Sequence, residues 1–175
     1  TLRLKNTSSG VVRSYVTQGN PEATYSWAYN EYSKGLEDGI YELQVSAKDT
    51  AGNESAVKTI ANVRIDRTPP VIADVRTDPY VLSGRNGYKT SLSYGIAEVG
   101  QGSSTKGQEE PEVKIKAYEQ STGKLLGTWS GESAKSPFIF YGTDLAKGAY
   151  KLQIVAEDDL GNIAQCAATV VKDGI

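Results

Sequence analysis

The chain has 175 residues, 19 Lys and Arg against 21 Asp and Glu for a formal charge of −2, a single Cys and no His. The charge balance leaves no basic stripe for nucleic acid or an anionic membrane surface, and the lack of histidine removes Ser-His-Asp and Cys-His catalysis, histidine bases and histidine metal ligands. One cysteine permits no intramolecular disulfide, and the apolar runs are far shorter than the roughly 20 residues a helix needs to cross a bilayer.

With 18 Gly and 11 Tyr, many Thr, Ser and Val, and no long helix-forming segment, the composition favours strands and turns. Leu2 and Leu4 alternate with Arg3 and Lys5, the pattern of a half-buried strand. A turn follows at Asn6 to Gly10, then a returning strand over Val11 to Thr17. Asn20-Pro21 breaks the chain, and Tyr25, Trp27 and Tyr29 alternate onto one face of a strand over Thr24 to Tyr29. Leu36-x-x-Gly39-x-Tyr41 then places a Tyr where its hydroxyl can fold back onto upstream backbone, the tyrosine corner that pins the crossover between the sheets of a Greek-key sandwich. In the strand that follows, Tyr41, Leu43, Val45 and Ala47 are expected to face the core, with Glu42, Gln44, Ser46 and Lys48 facing water. Asp49 to Asn53 turns the chain, and Ala56 to Ile65 is the last strand of this part.

Asp66-Arg67-Thr68-Pro69-Pro70 reads as a boundary, because two prolines bias the chain to a stiff extended linker. Strands are expected at Val71 to Val75 and Tyr88 to Ala97, before a Gly- and Ser-rich loop over Glu98 to Glu110 long enough to be functional or mobile. A hairpin of Glu112 to Tyr118 and Lys124 to Trp129 comes next, then strands at Pro137 to Tyr141, through Tyr150, and around Cys166.

The two parts repeat each other. Leu36 to Asn53 lies over Leu145 to Asn162 without a gap, sharing Leu36/Leu145, Gly39/Gly148, Tyr41/Tyr150, Leu43/Leu152, Gln44/Gln153, Ala47/Ala156, Asp49/Asp158, Gly52/Gly161 and Asn53/Asn162. Two residues beyond each Tyr, where antibody domains carry a disulfide cysteine, stand Leu43 and Leu152, so apolar packing must seal the core. The expected fold is all-β: two tandem immunoglobulin-like Greek-key sandwiches, residues 1–67 and 68–175. The second has seven strands and the first only the last five, lacking its opening pair. Because the chain has no Met and starts inside a strand, a fragment or mature piece is expected, with the missing pair upstream of Thr1.

The Leu-x-x-Gly-x-Tyr-x-Leu-x-Val-x-Ala-x-Asp-x-x-Gly-Asn pattern from Leu36, with the strand and Ile65 to Pro70 after it, resembles the bacterial immunoglobulin-like modules found in tandem in surface adhesins and exported proteins. With Trp27 and its hairpin it is also similar to the immunoglobulin-like domain of flagellar hook-cap proteins. The resemblance implies a non-catalytic structural or adhesive module, a stalk or spacer, on the bacterial cell surface or outside the cell, with neighbouring modules of the same chain as partners. The alternative is an accessory module of an exported enzyme, binding a carbohydrate or protein ligand; a hook-cap-like assembly role is a third reading. No nucleic acid and no membrane insertion are expected.

No cofactor is expected except calcium. If the strands alternate up and down, Asp66 falls near Asp158, Asp159 and Asn162, enough oxygen donors for a hard cation. The alternative is that Asp158, Gly161 and Asn162 build a tight turn while Asp66 ends a strand. Tyr25, Trp27 and Tyr29 form either a platform for sugar rings or core, with Phe138 and Phe140 as core equivalents; Cys166 reads as a small buried hydrophobe. Asn6-Thr7-Ser8 and Asn53-Glu54-Ser55 match the N-glycosylation sequon, which matters only in a eukaryotic secretory setting.

Overall fold

A computed structural model describes residues 1–15, 35–97 and 110–173. The strand expected at Thr24 to Tyr29, with Tyr25, Trp27 and Tyr29, and all but the last residue of the Glu98 to Glu110 loop lie outside the described residues. The chain divides into two compact units between Arg67 and Thr68. Every regular element described is a strand or a short 3-10 turn.

In the first unit β1 (Leu2–Asn6), β2 (Val12–Tyr15), β3 (Gly39–Val45) and β4 (Lys58–Ile65) form one antiparallel sheet in the order β2-β1-β3-β4. The β1–β2 turn is built by Asn6, whose Oδ1 accepts the amides of Ser8 and Ser9 at 2.9 and 2.8 Å. Gly10, at φ 71°, takes the left-handed position that closes it. The core is Leu4, Leu36, Tyr41 and Ile65, with Tyr15, Leu43 and Val63 packed against it.

The alternation expected in β3 holds at Tyr41 and fails further on. The register with β4 slips between Leu43 and Gln44, and Ser46, expected in water, is buried. Its hydroxyl accepts from Arg3 at 3.2 Å and donates to Glu54 at 2.9 Å, while its carbonyl accepts the ammonium of Thr1 at 2.8 Å. An irregularity shifts which side chains face inward, and a satisfied polar cluster makes the burial tolerable.

Among its described residues the second unit shows eight strands where seven were expected: β5 (Val71–Asp78), β6 (Val81–Leu82), β7 (Lys89–Ala97), β8 (Glu112–Glu119), β9 (Leu125–Ser130), β10 (Phe138–Tyr141), β11 (Gly148–Glu157) and β12 (Ile163–Lys172). They make a three-stranded sheet, β10-β7-β5, and a five-stranded sheet, β6-β12-β11-β8-β9. The extra strand is β6, two residues that pair in parallel with the end of β12, Val81 with Val171 and Leu82 with Lys172. Residues from both sheets, among them Leu92, Phe138 and Phe140 on one side and Ile115, Leu152, Ile154 and Val170 on the other, form one core.

The chain enters and leaves this unit at opposite ends. Val71, the start of β5, pairs with Ala97 at the end of β7. Lys172, the end of β12, lies over the ring of Tyr88, just before β7 begins, at 4.2 Å. A strand of β7's length spans about 30 Å, so entry and exit are separated by the length of a strand.

Candidate functional site

Two devices come out of the repeat, and a third belongs to the second unit by itself. The first is the tyrosine pin. Tyr41 Oη donates to the carbonyl of Glu37 and Tyr150 Oη to that of Ala146, each at 2.7 Å and each four residues upstream. Both rings are buried. Burial, followed by the charge of Glu119, raises the ionisation of the Tyr150 phenol above its ordinary value, because the phenolate would be desolvated.

The second is the turn after the Tyr-bearing strand. In the second unit Asp158 Oδ1 accepts the amides of Leu160 and Asn162 at 2.9 and 2.8 Å, and Oδ2 accepts Asn162 Nδ2 at 2.7 Å. In the first unit Asp49 Oδ1 accepts the amide of Asn53 and Oδ2 accepts Asn53 Nδ2, both at 2.8 Å. Gly52 and Gly161 follow at φ 96° and 85°, where a side chain would be strained. The Asn53 side-chain bond, helped by backbone amides, holds the Asp49 carboxyl below its ordinary range.

These contacts bear on the cation candidates. Asp66 belongs to the first unit and Asp158, Asp159 and Asn162 to the second. Asp66 is buried and accepts from Arg64 at 2.9 Å, whereas Asp158 spends both oxygens on its own turn. Asp159 is exposed. Among the described residues no group of three or more His, Cys, Asp or Glu is placed to hold a metal. The bonds seen are those of turn and strand-end residues.

The third device is one that sequence reasoning missed. Lys172, the last residue of β12, is buried, and its Nζ donates to the carbonyls of Gly142 and Thr143 at 2.6 and 2.8 Å above the Tyr88 ring. The only signal in the sequence is a Lys in phase with the inward-facing Ala164, Cys166, Ala168 and Val170. A lysine there reads as the exposed end of a strand unless its acceptors are known.

The remaining candidates are structural in their contacts. Phe138 and Phe140 are buried, and Trp129 packs on them with ring centroids at 5.1 and 6.1 Å. Cys166 is half-buried on the inward side of β12. Asn6 is buried in its turn, while Asn53 is exposed.

Residues 1–67 match the family of bacterial Ig-like domains, a match that ends where the first compact unit ends. No curated protein matches the chain.

Proposed function

We propose that this chain, whose residues 1–67 match the bacterial Ig-like domains, is a non-catalytic stalk or spacer segment of a cell-surface or secreted bacterial protein. The second unit, on this reading, is a further module of the same kind. Bacterial Ig-like domains are surface or structural modules in general, and no helix among the described residues is long and apolar enough to cross a membrane. The observation that carries the spacer reading is the lengthwise path of the chain through the second unit, entering beside Ala97 and leaving beside Tyr88. A unit traversed end to end adds its own length to the path of the chain.

Two measurements test this. Antibodies against the chain should label intact cells of the source bacterium, and labelling only after lysis overturns the surface assignment. A purified chain should show no hydrolase activity on glycan and peptide panels. The spacer role needs no cation, and the contacts support the turn and strand-end reading of the cation candidates: Asp66 Oδ2 accepts from Arg64, and both Asp158 oxygens accept from their own turn. On that reading thermal melts with and without chelator coincide, and a drop in transition temperature on chelation supports calcium at Asp66, Asp158, Asp159 and Asn162 instead.

A further inference from the structure

We propose that Lys172 is a mechanical lock that fastens the exit of the second unit to its opposite sheet. Lys172 belongs by its backbone to the five-stranded sheet and is its last residue before the chain leaves. Its side chain crosses to the other sheet. There Nζ donates to the carbonyls of Gly142 and Thr143, directly after β10, and lies over the Tyr88 ring, directly before β7. The amide of Gly142 donates to the carbonyl of Tyr88 at 2.7 Å, so the three acceptor groups form one body.

That body is stiff. Tyr88 is held at φ 53°, a left-handed conformation that costs a non-Gly residue energy and persists only where the surroundings impose it. Its amide is bound to the carbonyl of Ser83 at 2.9 Å. A Cβ on Gly142 would stand 2.6 Å from Leu82 Cδ1, so the crossover is pressed against β6. On the other side of Lys172, β6 runs parallel to β12, and the amides of Val171 and Asp173 donate to the carbonyls of Tyr80 and Leu82 at 2.9 and 3.1 Å.

The mechanics follow from strand direction. Tension between the two termini of the unit pulls β12 along its own axis out of the end where Lys172 sits, and pulls β5 toward the other end. The β6–β12 bonds are then sheared together instead of opening one after another. The Lys172 ammonium resists the same displacement from the other sheet, at the point where load enters. Hydrogen bonds from a charged donor are stronger than neutral ones, and the aromatic face adds a cation–π contact.

The proposal deepens the stalk or spacer reading, yet its test reports on the second unit whether or not the parent protein is a stalk. The full chain, held by its two termini in optical tweezers, gives two unfolding events, and the unit with more residues gives the longer extension. Lys172→Met keeps most of the stem and loses the ammonium. Under constant load it should unfold the second unit about tenfold faster or more, the loss of roughly one charge-assisted bond at the barrier. The first unit should be unaffected. Without load, unfolding can begin anywhere in the unit, so the same substitution should accelerate it by a smaller factor in denaturant kinetics. Equal factors with and without load make Lys172 an ordinary core contact and overturn the proposal. Should the Met variant not fold, Lys172→Arg keeps charge and donors; native-like load resistance supports the lock, and an unfolding rate under load raised tenfold rejects it.

Discussion

The same strand pattern is buried to different depths in the two units. In the second, Ile115, Leu152, Ile154, Ala156 and Val170 are fully buried. Their register counterparts in the first are Leu2, Leu43, Val45, Ala47 and Val63, and each keeps some exposure. At the tyrosine-pin end the units agree, since Tyr41 and Tyr150 are both buried. In the second unit Ile72, Val75, Leu92, Tyr94 and Ile96 of β5 and β7 join the core opposite β11. Alternation marks which side chains can be buried; the facing layer decides how far they are.

The largest test of that difference is truncation at matched positions. Leu152→Ala should cost about 3 to 4 kcal/mol and Leu43→Ala about 1 to 2, because a fully enclosed site loses transfer energy and leaves a cavity while a part-exposed one can collapse. Denaturant unfolding of the full chain, with hydrogen exchange assigning each transition to its unit, measures both. Equal costs would break the comparison. The tyrosine pins should instead behave alike: Tyr41→Phe and Tyr150→Phe each remove a 2.7 Å bond and leave a carbonyl unpaired, for about 1 to 2 kcal/mol apiece.

The smallest effect is in pH, and it separates the units again. In the first unit the Glu54 carboxyl is held below its ordinary range, chiefly by the Ser46 hydroxyl and then by Arg3, and Asp49 is lowered by Asn53. Lowered folded values mean stability that is complete above about pH 5 and is lost as pH falls through them. In the second unit burial raises the phenols of Tyr94 and Tyr150, so their contribution is complete below about pH 9 and is lost as pH rises. Glu54→Gln should flatten the acid limb of the first unit, and Tyr150→Phe the alkaline limb of the second, in melts taken across pH. An unchanged limb in either variant removes that residue from the account.

Local devices were legible in the sequence because their residues are close together. The Gly-x-Tyr spacing led to two pins with the same four-residue reach, and Asp-x-x-Gly-Asn led to two turns closed by the same Asp to Asn bonds. Features depending on distant partners were not. β6 is two residues long, too short for any period to show, and exists through pairing with a strand some 90 positions later. Ser46 went to the wrong face because the slip between Leu43 and Gln44 lies in the pairing with β4. Nothing in the sequence singled out Lys172, because its acceptors are carbonyls, which every residue carries.

The buried Asn6 has a consequence for making the protein. Its side-chain oxygen forms the first hairpin, yet it heads an Asn-Thr-Ser triplet. In a eukaryotic secretory pathway the oligosaccharide transferase meets the unfolded chain first, and a glycan on that amide would occupy the space the turn needs. Cytoplasmic or bacterial expression avoids the collision, and Asn6→Asp would erase the acceptor sequence while keeping an oxygen for Ser8 and Ser9.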